Sequence, residues 1–269
     1  MDTDFSNLFS VKGKTVVITG GSRGIGEMLA AGYLANGAKV IISSRKADAC
    51  EETVKRLKDQ YGGETYAIPS DVGQMVGIQH LADEIAKRED KVDVLINNAG
   101  VAWGATLEEF PESGWDKVMD VNVKGIFFLF QKLIPLLRKS ANAEDPARVI
   151  NIASIDGLHT SPFSGYAYGT SKAAVIHLTR FMASQHVGEH ILVNGIAPGP
   201  FPTWMLSTGV GFGGKTEGVD WQAIGDSNPS GRVGTPQDIA GLAMFLSSRA
   251  GAYISGHTIP CDGGIVASS

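Results

Sequence analysis

An α/β fold, with helices wound on both faces of a parallel sheet, is the architecture this sequence predicts. Short β-branched apolar runs alternate with longer stretches of helical periodicity, the connections are brief, and glycines cluster at the first strand-to-helix junction. Lys14–Thr19 (KTVVIT) reads as a strand buried on both faces, because it lacks the polar alternation of a half-exposed one. Ile25, Leu29 and Tyr33 then fall on one helical stripe that stops near Asn36-Gly37, a pair suited to a helix C-terminus. Strand Lys39–Ile42, a charged helix from Ala47 to about Tyr61, strand Thr65–Ile68 and a helix from about Gly73 to Arg88 follow. Strand Val92–Ile96 leads into Asn97-Asn98-Ala99-Gly100. A long helix over about Val121 to Lys139, strand Arg148–Ala153, a helix from Tyr166 to His186 and strand Ile191–Ala197 complete the predicted series.

The 269 residues suit a single domain, 1–269, and a 43% hydrophobic content is enough to fill its core. With 23 basic against 28 acidic side chains, the net charge of −5 argues against nucleic acid or an anionic membrane as partner. Two cysteines, Cys50 and Cys261, make no disulfide framework and fit a reducing, cytoplasmic setting. Met1-Asp2-Thr3-Asp4 is acidic where a signal peptide would be basic, so none is expected. The densest apolar run, Ile126 to Phe130, is far short of the roughly 20 residues a membrane span needs. The segment from Pro200 to Gly231 breaks the rhythm. It holds Gly209, Gly211, Gly213, Gly214, Gly218 and Gly225, interleaved with Trp204, Met205, Phe212 and Trp221, and it reads as a flexible substrate lid.

Thr19-Gly20-Gly21-Ser22-Arg23-Gly24-Ile25-Gly26 lies where the first strand meets the first helix, the place where a Rossmann-like fold brings backbone N–H groups to a pyrophosphate. It is not a literal GxGxxG, since Leu29 stands where the third glycine would be. Tyr168 and Lys172 are four apart and share a helical face, where an ammonium would favour the phenolate and make the tyrosine an acid–base group. An isolated pair of this kind would be an ordinary surface feature. Tyr166 has Thr170, not lysine, at that offset. NAD enzymes of this architecture carry an acid about twenty residues past the glycines. Ser43-Ser44-Arg45-Lys46 has none, and the forked guanidinium of Arg45 suits a 2′-phosphate instead, so NADP(H) is the expected cofactor.

Taken together, the TGxxxGxG spacing, Asn97-Asn98-Ala99-Gly100, Asn122, Ser154, Tyr168-Gly169-Thr170-Ser171-Lys172, Pro198-Gly199 and Thr203 resemble the classical short-chain dehydrogenase/reductase family from about residue 12 to Gly264. Within it the chain looks most like the 3-oxoacyl reductases, through Ala147–Ala153, Tyr166–Ala173 and Gly251–Gly264. The resemblance implies Asn122, Ser154, Tyr168 and Lys172 as the catalytic set. Ser154 would hydrogen-bond the carbonyl oxygen, Lys172 would hold the nicotinamide ribose and Asn122 would support a proton relay. It implies a cofactor site of Gly20, Ser22, Arg23, Ile25, Ser44, Arg45, Asp71, Val72, Asn98, Tyr168, Lys172, Phe201 and Thr203, with Arg23 an NADP mark and Asp71 and Val72 beside the adenine. A homotetramer is implied as well. Ser154 and Tyr168 are fourteen apart, one more than usual in the family, and the loop Ile155–Gly165 is expected to absorb the extra residue by reshaping the substrate pocket.

Two other readings stand beside this one. His186-Val187-Gly188-Glu189-His190 matches the HxxEH zinc pattern, but Gly188 and the following strand point to a helix end, and no metal is expected. A non-catalytic NADP(H)-binding sensor or partner-docking protein could share the fold. The complete Asn122, Ser154, Tyr168 and Lys172 set favours an enzyme acting on a small-molecule ketone or alcohol. Asp145 and Glu189 fall where carrier-dependent reductases often have basic residues, which favours CoA thioesters or free ketones over an acidic carrier protein.

Overall fold

In the computed structural model, which describes residues 5–160, 165–208 and 219–268, the first apolar run becomes β1 (Thr15–Thr19), followed by α1 (Gly24–Ala35) and β2 (Lys39–Ser43). The chain continues through α2 (Ala47–Tyr61), β3 (Thr65–Ala67), α3 (Met75–Arg88), β4 (Val94–Asn97), α4 (Glu112–Met119), α5 (Gly125–Ser140) and β5 (Ala147–Ile152). Then come α6 (Tyr166–His186), β6 (Ile191–Pro198), α7 (Trp204–Thr208), α8 (Trp221–Asp226), α9 (Pro236–Ser247), β7 (Thr258–Cys261) and α10 (Ile265–Ser268). The seven strands form one parallel sheet in the order β3-β2-β1-β4-β5-β6-β7.

Alternate residues of each strand feed two different cores, which is why the strands read as uninterrupted apolar runs. Val17, Ile41, Leu95 and Val149 pack on one face against α3 and α5, through Ile78, Leu81, Leu129 and Leu133. Val16, Ile18, Ile42 and Ile96 pack on the other against α1 and α9, through Leu29, Tyr33, Ile239 and Ala243. Tyr33 ties those two helices together, its hydroxyl reaching the Ala243 carbonyl at 2.9 Å and Ser247 Oγ at 2.5 Å. Among the described residues no helix is long and apolar enough to cross a membrane.

The structure both departs from the sequence reading and bears it out in particular elements. The long helix expected from Val121 begins earlier, with α4, and reaches α5 through a π-helical turn at Asp120–Lys124. α9 and β7 were not foreseen. α9 carries a capping box, in which the Thr235 side chain and the Asp238 carboxylate each satisfy a backbone N–H of the other's end, with Pro236 opening the helix. The segment 200–231 is not a continuous loop, because α7 and α8 stand within it; Gly209, Gly211, Phe212, Gly213, Gly214 and Gly218 lie outside the described residues. The helix through the HxxEH pattern ends at His186 as expected, passes through a 3-10 turn at Val187–Glu189, and leaves His190 in a left-handed conformation at φ 57°. His190 is thus off the helical face that a zinc site of this type requires.

Candidate active site

The winding of the sheet reverses between β1 and β4, and a cavity of about 1230 Å³ opens there at the carboxyl ends of the strands. Its floor is the glycine turn. Gly20 sits at φ 66°, and a Cβ on it would lie 2.8 Å from Asn98 Nδ2; a Cβ on Gly26 would lie 2.2 Å from the Gly20 carbonyl oxygen. The close fit is clamped by Asn98, whose Nδ2 donates to the carbonyls of Thr19 at 2.8 Å and Gly20 at 3.2 Å. Thr19 Oγ1 in turn accepts from the backbone N–H groups of Asn98 and Ala99. Asn98 therefore lines the cavity mainly as a brace for the turn. Arg23, the N-cap of α1, provides no side-chain cap, so the first N–H groups of the helix face the cavity free to receive an anion.

Next to this turn, Ser22 Oγ and Ser44 Oγ are 2.8 Å apart, and Cys50 Sγ lies 3.1 Å from Ser44 Oγ, which locks the end of β2 against the turn. Beyond them the side chains of Arg45 and Lys46 are exposed at the cavity edge and make no hydrogen bond or ion pair to another described residue. Arg23 is exposed too, but its guanidinium stacks 4.3 Å from the ring centroid of Trp204 on α7, a contact the sequence did not suggest. Asp71 and Val72 line the far wall, where Asp71 Oδ1 accepts from the Gly73 N–H at 3.0 Å. Ile25 and Thr203 line the near wall, and the methyl of Thr203 would lie 3.3 Å from a Cβ on Gly24. Phe201 reaches the cavity while its ring sits in the core against Gly234.

At the other end of the cavity stand Ser154, Tyr168 and Lys172. Lys172 Nζ donates to the Ile152 carbonyl at 2.8 Å and lies 5.5 Å from the Tyr168 ring centroid. Burial pulls the lysine down to about 8, partly opposed by the charge of Asp156. Burial also pushes Tyr168 up to about 12, against a hydrogen bond with Ser154 that lowers it and Asp156 that raises it further. The phenolate-favouring effect expected of Lys172 is thus outweighed. Its ammonium is engaged by a carbonyl and lies over the ring, while the phenol is desolvated. Tyr166 is the exposed neighbour, stacked edge-on to Phe110. Asn122 does not line the cavity. Fully buried in the π-helical turn, it exchanges two hydrogen bonds with the Val101 backbone and donates to Ser171 Oγ at 2.9 Å, tying the strand-four loop to α6.

Asp145 pairs with Lys14 and, at 3.5 Å, with Arg148, and Glu189 pairs with Arg138 at 2.5 Å and His186 at 3.2 Å. Neither acid presents a bare charge. Asp156 and His159, in the loop after Ser154, also line the cavity, and sequence reasoning passed over them.

A cradle fit for a nucleotide and a phenol fit to carry a proton, held in one cavity, place the chain among the nucleotide-dependent oxidoreductases. A family profile described as enoyl-(acyl carrier protein) reductase matches residues 20–266, and the chain belongs to the short-chain dehydrogenase/reductase family. It is 47% identical over 259 residues to a rhamnolipids-biosynthesis 3-oxoacyl-[acyl-carrier-protein] reductase of Pseudomonas aeruginosa, covering 95% of this chain and 97% of that protein. It is 36% identical over 263 residues to a 5-keto-D-gluconate 5-reductase of Escherichia coli, covering 97% of this chain and 98% of that one. The structure of Pseudomonas aeruginosa RhlG in an NADP active-site complex superimposes with a TM-score of 0.89 at 46% identity, across 97% of this chain and all of that one.

Proposed function

We propose that the chain reduces a ketone, a 3-oxoacyl thioester or a free hydrophobic ketone, to a secondary alcohol with NADPH. The observation that carries this reading is the half-buried Tyr168, which shares one cavity with Ser154 and lies with its ring 5.5 Å from Lys172 Nζ. A pKa near 12 keeps the phenol protonated at neutral pH, as a proton donor must be. Ser154 and Tyr168 hold the carbonyl oxygen, and Tyr168 passes its proton to that oxygen as charge develops there. The Lys172 ammonium stabilises the phenolate left behind and would hold the cofactor ribose, while Asn122 keeps the strand-four loop and α6 in register for proton return.

The cavity fits NADP(H): the uncapped α1 N-terminus suits the pyrophosphate, the glycine cradle leaves room only for backbone, and Arg45 with Arg23 and Lys46 offers cations to a 2′-phosphate. Asp71 and Val72 would bound the adenine, and Gly20, Ser22, Ile25, Ser44, Asn98, Phe201 and Thr203 the rest of the site. Bound NADPH supplies the hydride for the carbonyl carbon. The relative solved as an NADP complex supports this choice, and relatives named as reductases favour a catalyst over a sensor. The segment 200–231 is proposed as the substrate lid, since Trp204, Met205 and Ile224 line the cavity above the turn. A homotetramer is part of the same proposal, supported by the exposed Phe127 on α5 and Phe181 on α6. So is a cytoplasmic site of action, which the free Cys50 and Cys261 suit.

The test is NADPH oxidation, with NADH in parallel, over 3-oxoacyl-CoA chain lengths, carrier-bound 3-oxoacyl groups and aliphatic and aryl ketones, with wild type and Tyr168→Phe. Turnover that prefers NADPH and disappears in the variant is expected. Preference for NADH overturns the Arg45 reading, and binding of NADPH without turnover of any ketone overturns the reductase.

A further inference from the structure

Asp156 and His159 take no part in the chemistry described above, yet both line the cavity on the loop that follows Ser154. The turn at Ile155–Gly157 is rigidly placed. The Asp156 N–H donates to Ser154 Oγ at 3.2 Å, and a Cβ on Gly157 would lie 2.6 Å from the Lys172 carbonyl carbon and 2.8 Å from Ala173 N. Asp156 is thus held beside both Ser154 and the Tyr168–Lys172 turn of α6. Its half-buried carboxylate receives no hydrogen bond and makes no ion pair among the described residues. Burial raises its pKa, and only the charges of His159 and Lys172, acting without contact, oppose that rise. His159 Nδ1 lies 3.1 Å from the Thr160 carbonyl oxygen, which can only accept, so Nδ1 carries a proton. Nε2 is buried and has no partner among the described residues.

Among the described residues, nothing on this wall of the cavity donates to the Asp156 carboxylate. A partly desolvated carboxylate without a donor is an unmet requirement that a ligand can meet. We propose that Asp156 is a specificity-determining residue, selecting ketones that carry an O–H or N–H donor on the carbon next to the carbonyl and disfavouring those that carry an anion there. This rests on the ketone-reductase reading and narrows it. The donor would bond to the carboxylate while Ser154 and Tyr168 hold the carbonyl oxygen, which also fixes the ketone's orientation.

The experiment compares kcat/KM for 1-hydroxy-2-hexanone, 2-hexanone and 2-oxohexanoate with NADPH, in wild type, Asp156→Ala and Asp156→Asn. Ratios between substrates within each variant cancel any general effect on rate. In the wild type the hydroxyketone should exceed 2-hexanone by about tenfold or more, as a hydrogen bond to a charged group implies, and 2-oxohexanoate should be the poorest of the three. Asp156→Ala should bring the hydroxyketone ratio close to one and raise the relative rate on the oxo acid. Asp156→Asn, nearly isosteric, should keep part of the hydroxyl preference through its carboxamide oxygen and lose the bias against the anion. A wild-type ratio near one, or a ratio that both variants leave unchanged, overturns the assignment while leaving the reductase intact. If NADPH binds, by its fluorescence, and none of the three is reduced, while 3-oxoacyl thioesters are, the donor site is also overturned. Failure of every ketone and thioester removes the underlying reading as well.

Discussion

Gly26→Ala is the sharpest test of the nucleotide cradle, because the nearest atoms it would disturb belong to the turn and to its clamp, Asn98. A methyl there would stand 2.2 Å from the Gly20 carbonyl oxygen and 2.5 Å from Asn98 Nδ2, where non-bonded contacts normally settle at about 3.5 Å. The turn must retreat by roughly 1 Å, and Asn98 cannot then keep its bonds to the carbonyls of Thr19 and Gly20. Two such bonds at about 1 kcal/mol each, with an overpacking cost of about 1–3 kcal/mol, give a destabilisation of about 3–5 kcal/mol. Gly241→Ala is the matched control. It lies in the exposed part of α9 with nothing within 4 Å of the added methyl, and should gain about 0.5–1 kcal/mol from helix propensity alone. Urea denaturation gives the stabilities and NADPH fluorescence titration the affinity. If Gly26→Ala folds within about 1 kcal/mol of wild type and binds NADPH as tightly, the turn is not the close-packed cradle described above.

The remaining predictions concern charge. With Lys172 near 8, kcat/KM for ketone reduction should fall as pH rises through about 8, where the ammonium is lost, while Tyr168 keeps its proton. Asp156→Asn, by removing the charge that raises Lys172, should move that limb to lower pH, and a profile flat through this range speaks against the lysine's role. Arg45→Ala should weaken NADPH binding by about 10–100-fold, the range of a lost charge-assisted bond, with NADH binding little changed; equal loss for both cofactors would remove Arg45 from the 2′-phosphate. Asp238, held well below the usual carboxylate range by Arg232 and the Thr235 cap, stabilises the fold above pH about 4 and ceases to do so as pH falls through its lowered folded value. Asp238→Asn should therefore lower Tm at neutral pH, with the difference shrinking in acid; a constant difference would refute the linkage.

Where one physical rule acted alone, the sequence was readable. The parallel sheet followed from strands such as Val16–Ile18, whose every position is apolar because each faces one of two cores. α2 and α6 matched their expected bounds because a periodic pattern ran unbroken between turn residues. α4 escaped because its eight residues bury only Gly114 and Val118, too few to show a stripe. β7 escaped because TIPC is short, half-exposed and interrupted by Pro260, which an edge strand tolerates and a central one would not.

The site divides along the same line. Gly20, Gly26, Tyr168 and Lys172 could be located because their spacing along the chain is their geometry: a turn, or one turn of helix. The states of Tyr168 and Lys172 could not, since an offset of four says that an ammonium is near a phenol but not how far each is withdrawn from water, which moves the tyrosine up and the lysine down. Arg23 faced the same limit, because its partner Trp204 is 181 residues away in sequence and meets it only when α7 folds over the turn. Asp156 was the least visible of all. Two residues past Ser154, it reads as an ordinary loop carboxylate until Gly157 is seen pressed on the backbone of α6, a contact that holds the half-buried acid beside Ser154 and Lys172.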